Sequence, residues 1–164
     1  MNARTAAHRG GDPTRLLASD VMTPDPVCVQ PGCGLRRFAL MLEEHGISGA
    51  PVVDARGVLV GVASRTDLIR RCSEGSADVP PAFLFEVLRA GGGGEAETVI
   101  PEPLVCVEDI MTTTPVTVTA GTPVGRVARL MFERHIHRVV VVNEEQCPIG
   151  VITSLDVLGV WPGA

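Results

Sequence analysis

A chain of 164 residues that is 45% hydrophobic but only 3% aromatic can bury one aliphatic core of ordinary size, or two small interdependent ones. Fourteen basic residues against 19 acidic ones leave a net charge of −5, which excludes a general nucleic-acid binder, because that function needs a basic face against phosphates. No apolar run is long enough to span a bilayer, so no membrane role is expected. The first 15 residues lack the apolar centre of a secretion signal, so the cytoplasm is the expected compartment. Cys28, Cys33, Cys72, Cys106 and Cys147 form no CxxC pair, which argues for buried thiols in a reducing compartment rather than a metal site.

In chain order, a flexible tail over 1–15 precedes a patterned segment over 16–72. There, "DVMTPDPVCVQPG" (20–32) contains a short apolar strand, Val27–Val29, and a Pro/Gly turn. Leu35, Phe38, Ala39 and Leu42 recur at helical spacing, and Gly46 is placed to end that helix. Two strands follow, around Ala50–Val53 and Val58–Val62. "SRTDLIRR" then opens a second helix with Ser64 as its N-cap. The segment 73–106 breaks the pattern: "PPAFLFEVLRA" (80–90) is a predicted helix with Phe83, Leu84, Val87 and Leu88 on one stripe. "GGGG" ends it, and an acidic linker leads on. This insertion is expected to be dispensable for the fold.

The remainder, 107–161, repeats the first segment. Sliding the chain so that Asp20 falls on Asp109 lays "DVMTPDPVCVQPG" over "DIMTTTPVTVTAG" (109–121) and "GISGAPVVD" (46–54) over "HIHRVVVVN" (135–143). It also lays "GVASRTD" (61–67) over "GVITSLD" (150–156), all without a gap, and about a third of the aligned positions are identical. The same elements follow: a strand at Val116–Val118, then a helix with Thr122 and Pro123 as N-cap and N1 and with Val124, Val127, Ala128 and Met131 as its stripe. Strands at Val139–Val142 and Ile149–Ile152 and a helix capped by Thr153 complete it. Each unit is β-α-β-β-α, an α/β (α+β) arrangement too small to stand alone.

Taken together, "D-[VI]-M-T…P-V-x-V", "[AV]-[PV]-V-V-[DN]" and "G-V-x-[ST]-x-x-D", present twice in this order, resemble cystathionine-β-synthase (CBS) domains in their tandem arrangement, the Bateman module. The resemblance implies a pseudo-twofold pair with two clefts for adenosine-containing ligands, association into a homodimer, and a regulatory rather than catalytic role. Leu35, Leu42 and Val157 are then candidates for the apolar helix faces that a second copy would cover.

The chemistry of the repeated phrase fits that implication. A helix start offers free N–H groups to a phosphate, with the Ser64 or Thr153 hydroxyl beside them. Asp67 and Asp156, one turn in, offer carboxylates to a ribose diol, at about 1.5–3 kcal/mol per charge-assisted bond. The plain alternative is that Ser/Thr-x-x-Asp only caps a helix. "HIHRVVVV" resembles the His-Arg pair of nucleotide sites in the gamma subunit of AMP-activated kinase, and it exists only in the second copy; Ser48 and Gly49 stand at the aligned positions of the first. The resemblance groups Asp156 with Thr153, His137, Arg138, Thr23 and the Ile47, Ser48 and Gly49 backbone. It groups Asp67 with Ser64, Thr112 and the backbone near Ile136.

The resulting expectation is a sensor of AMP, ADP or ATP that needs no cofactor and signals to an unidentified regulated protein. S-adenosylmethionine, NADH or a cyclic dinucleotide are alternative ligands, and a structural dimer with empty clefts is the rival from another class. An enzyme is disfavoured, because no nucleophile has a base partner and no phosphate-binding loop occurs.

Overall fold

The computed structural model describes residues 15–73 and 105–160. The predicted helix over 80–90 and most of the tail lie outside the described residues. The chain divides into two compact units, Met1–Pro26 with Pro115–Ala164, and Val27–Thr114. The units do not coincide with the repeats. In each, the body of one repeat is completed by the leading segment of the other.

The Val27–Thr114 unit contains α2 (Leu35–Glu44), β2 (Gly49–Val53), β3 (Leu59–Ser64) and α3 (Arg65–Ser73), joined by a short 3-10 turn at Val107–Asp109. Strands β2 and β3 pair antiparallel from Gly49 opposite Ser64 to Val53 opposite Leu59. The predicted strand Val27–Val29 is reduced to one parallel bridge, Val29 to Val52, and Thr112 bridges Val62 on the far edge. The other unit begins with α1 (Ala18–Val21) and β1 (Thr23–Pro24). It continues with β4 (Thr117–Thr119), α4 (Val124–Arg134), β5 (Arg138–Val142), β6 (Pro148–Thr153) and α5 (Ser154–Gly159). Its sheet runs β1-β6-β5-β4, the same spatial order as the bridged strands of its counterpart.

Binary patterning explains the cores. Helix α2 buries Leu35, Phe38 and Leu42, and α4 buries Val124, Val127 and Met131, each set falling on one helical face. Against α2 lie Ala50, Val52 and Ala63, and against α4 lie Val139, Val141 and Ile152, all on alternate strand positions. Leu35, Leu42 and Val157 are therefore not available to a second copy: they are 3%, 0% and 8% exposed within one chain. A helix of this length has one apolar stripe, and here its own sheet covers it.

The leading segments dock by the same bonds in both units. Ala18 and Ser19 donate their N–H groups to Thr122 and Ala120, as Val107 and Glu108 do to Cys33 and Pro31. The motif aspartates cap these turns, Asp20 accepting from the Leu17 N–H at 2.8 Å and Asp109 from the Cys106 N–H at 2.7 Å. The motif methionines then cover the motif glycines: a Cβ on Gly61 would sit 2.6 Å from Met111 Sδ and 2.9 Å from the Thr112 carbonyl, and one on Gly150 would sit 2.9 Å from Met22 Cγ. Only hydrogen fits under each methionine. Partial burial pushes the Cys28, Cys33 and Cys106 thiols up from their ordinary range, which suits packed rather than reactive sulfurs.

Turns differ between the copies. After α2, Gly46 takes a left-handed φ of 62°, and Ile47 donates back to the Leu42 carbonyl. After α4 the same turn is made by His135 at φ 52°. In the β2–β3 hairpin Asp54 Oδ1 accepts from the Arg56 and Val58 N–H groups, with Gly57 at φ 84°. These bonds, the Val58 one foremost, hold the Asp54 carboxyl below its ordinary range. Asn143 closes the matching β5–β6 hairpin through the Cys147 N–H, with Gln146 at φ 61°. Thr122, predicted as an N-cap, instead accepts from the Thr119 N–H within its turn, and α4 starts after Pro123.

Gly61→Ala should destabilise the chain by about 1–3 kcal/mol in chemical denaturation, because its Cβ meets a fixed backbone carbonyl. Gly150→Ala should cost less, since the flexible Met22 side chain can shift; an equal or reversed order would show that the methionine contact does not set the spacing. His135→Gly and Gln146→Gly should each raise stability, by about 0.5–1 kcal/mol, by relieving a left-handed side-chain residue. A loss of stability in both would refute the strain.

A capping carboxylate beside the sheet face turned from the helices

Thr153 is the N-cap of α5, and its hydroxyl donates to Asp156 Oδ2 at 2.7 Å, while its own N–H reaches the same oxygen at 2.7 Å. Ser64 does likewise at the start of α3, giving its N–H and hydroxyl to Asp67 Oδ2 at 2.8 and 2.6 Å. Capping is therefore present in both copies. It occupies one oxygen of each carboxylate and leaves the other to be accounted for. Asp67 Oδ1 accepts from Arg70 Nη2 at 2.9 Å. Both Thr153 bonds fall on Asp156 Oδ2, so the cap leaves Oδ1 unused.

Strand register assembles the rest of the second copy's candidates. Arg138 stands directly opposite Thr153 across β5 and β6, and Thr23 stands opposite Val151 across β1 and β6. Alternation puts Thr23, Arg138 and Thr153 on the sheet face turned away from Val139, Val141 and Ile152, hence away from the helical core. The His137 carbonyl accepts from the Ser154 N–H at 3.0 Å, tying the His-Arg pair to the start of α5. His137 is exposed and Arg138 half-buried. Thr23, His137, Arg138, Thr153 and Asp156 thus lie within one unit, though spread over more than a hundred positions of sequence. Ile136 belongs to this unit too, donating its N–H to the Met131 carbonyl.

In the Val27–Thr114 unit the same register puts Gly49 opposite Ser64 and Thr112 opposite Val62, and the Ser48 carbonyl accepts from the Arg65 N–H. Ile47, Ser48, Gly49, Ser64, Asp67 and Thr112 are therefore neighbours of one another, with no cation at the positions aligned with His137 and Arg138. Arg70 was missed by the sequence reading. Its signal was an arginine three residues after an aspartate on a helix, with Gly159 at the aligned position of the other copy.

Comparison with known proteins places this geometry. The CBS domain family matches residues 18–74 and 107–163. The chain belongs to that family and is a tandem CBS-domain pair. It is 29% identical over 162 residues to the CBS domain-containing protein CBSX2 of Arabidopsis thaliana chloroplasts, covering 96% of this chain and 66% of that one. The crystal structure of CBSX2 in complex with AMP superposes with a TM-score of 0.64 at 27% identity, over 87% of this chain and 93% of that one. The CBS domain pair of protein MJ0100, in complex with 5′-methylthioadenosine and S-adenosyl-L-methionine, superposes with a TM-score of 0.68 at 23% identity, over 87% and 93%, and supports the fold. The L-aspartate semialdehyde sulfurtransferase of Methanocaldococcus jannaschii is 23% identical over 147 residues, which is 90% of this chain but 23% of that protein's length. No described helix is long and apolar enough to cross a membrane.

Proposed function

We propose that this protein is a regulatory sensor of an adenosine-containing ligand, an adenine nucleotide of the AMP, ADP or ATP class, without a reaction of its own. The observation that carries this reading is the oxygen of Asp156 left over by the helix cap, beside a cation in register with the cap residue. Asp156 Oδ1 accepts from the ribose diol. Arg138, permanently charged and able to grip two oxygens, takes the phosphate, with His137 as a second donor. Thr23 and the Thr153 end of β6 border the same face. The AMP complex of CBSX2 supports the ligand class. The Asp67 site, lacking the His-Arg pair, is the weaker of the two, and the regulated partner is a separate protein.

Calorimetric titration tests this directly. Arg138→Ala should weaken AMP about 10- to 100-fold, the loss of a charge-assisted bond, while changing adenosine less than about threefold. Equal losses for both would mean that Arg138 does not see phosphate. No binding of any adenosine compound by the unaltered chain would favour a purely structural module.

The protein acts as a homodimer in this reading. Phe132 is 80% exposed, and Leu155 and Leu158 are 68% and 58% exposed, on α4 and α5 of one unit. Those side chains, rather than the buried Leu35, Leu42 and Val157, are the ones a second copy covers. Phe132→Glu with Leu158→Glu should convert a dimer to a monomer in sedimentation at micromolar concentration. A monomeric unaltered chain would refute the assembly.

A further inference from the structure

The two copies diverge at one position that faces the ribose-directed aspartates. Three residues beyond Asp67 stands Arg70; three beyond Asp156 stands Gly159. One turn of α3 brings Arg70 Nη2 to 2.9 Å from Asp67 Oδ1, while Oδ2 is already held by Ser64. Ser64 fills both acceptor sites of Oδ2 and Arg70 takes one of the two on Oδ1, so a diol that donates both hydroxyls to Oδ1 must displace Arg70. The aspartate side chain is 13% exposed and the arginine 59%, so the carboxylate is fixed and the guanidinium has room to leave. Both line a cavity of about 240 Å³ with Arg71, Asp109, Ile110 and Met111. Asp109 is turned to its own cap, with Oδ2 on the Cys106 N–H.

We propose that Arg70 is a specificity-determining residue of the Asp67 site. It blocks the ribose-binding oxygen and yields it only to a ligand that carries a phosphate for the guanidinium to follow. This assignment rests on the ligand class proposed above. An ion pair this exposed, between positions three apart on a helix, resists displacement by only about two- to fivefold in a binding constant. A guanidinium that moves from carboxylate to phosphate recovers charge-assisted, paired bonds. A neutral nucleoside must bear the displacement uncompensated, whereas a nucleotide is compensated and gains. The site thereby selects for phosphate without the His-Arg pair, since Ser48 and Gly49 stand in its place. In the other copy the aligned residue is Gly159, which has no side chain to reach Asp156 Oδ1 and so imposes no such selection.

Reciprocal substitution in the full-length chain tests this by calorimetry with AMP and adenosine. In an Asp156→Ala background, which leaves the Asp67 site to be read alone, Arg70→Ala should tighten adenosine about two- to fivefold. The same change should weaken AMP about tenfold, so the two effects have opposite sign. Arg70→Lys should restore part of the AMP binding. In the otherwise unaltered chain, Gly159→Arg should weaken adenosine about two- to fivefold and spare AMP. A Cβ at 159 meets nothing within 4 Å, so the larger residue is accommodated there, and circular dichroism verifies the fold. An unchanged AMP-to-adenosine ratio in Arg70→Ala, with AMP still bound, overturns the role of Arg70 and leaves the ligand reading standing. Absence of AMP binding in the Asp156→Ala background overturns it equally. A chain that binds neither compound, with every variant folded, removes the ligand reading and this assignment together.

Discussion

The contact on which the rest depends is the methionine laid over a glycine: Met22 on Gly150 and Met111 on Gly61. Each joins the leading segment of one repeat to the last strand of the other, and each admits no side chain beneath it. Once the methionine is seated, the next residue is close enough for backbone pairing, so Thr23 registers with Val151 and Thr112 with Val62. The aspartate two residues before each methionine caps the turn that delivers it. The aspartate and methionine of "D-[VI]-M-T" and the glycine and hydroxyl residue of "G-V-x-[ST]" therefore each have a structural duty, and the two phrases are halves of one lock. A single repeat would carry half of each lock, with a bare glycine and an undocked leading segment. The phrase is written twice because each copy is read by the other's partner phrase.

That lock also decides where chemistry is available. It places a threonine edge strand beside the strand that ends in Thr153 or Ser64, on the face opposite the helical core. The Ser/Thr-x-x-Asp pattern then serves two purposes at once. One carboxylate oxygen closes the N-terminus of the helix, which holds the side chain in a single rotamer. The second oxygen is thereby aimed and immobilised without being consumed by the cap; in the first copy it meets Arg70. The cap does not exclude a further contact by the aspartate, because it preorganises the remaining acceptor for whatever meets it.

The repeat, the helices and the inward strand positions were legible in the sequence, because each follows from periodicity: Phe38 with Leu42, Val127 with Met131, and Val139 with Val141 fall where one face must be apolar. The exchange of leading segments was not legible from periodicity. It is made by backbone bonds and by the absence of a side chain at Gly61 and Gly150, and neither carries a pattern. The strand expected at Val27–Val29 is one bridge long, since Val29 alone pairs with Val52. The inward placement of Leu35, Leu42 and Val157 is not legible, because a helix stripe does not say which surface covers it. Of the site, the hydroxyl and carboxylate were visible as a motif, and the juxtaposition of Arg138 with Thr153 was not, because it depends on the hairpin that Asn143 closes.

The divergence of the two copies follows one direction. Where the first has Gly46 and Gly57 in left-handed turns, the second has His135 and Gln146, at φ of 52° and 61°. Those two residues bracket β5, the strand that begins with Arg138. A glycine at either end would relax the backbone and widen its conformational range, so their replacement stiffens both entrances to the strand at some cost in strain. The first copy, with relaxed turns, holds its aspartate in an internal ion pair and presents no cation across from Ser64. The strain of these two turns thus falls in the copy whose cation stands in register with the cap. Backbone constraint around β5 fixes Arg138 relative to Thr153, so the guanidinium and the capping Asp156 carboxylate are held on rigid neighbouring elements at one end of the sheet.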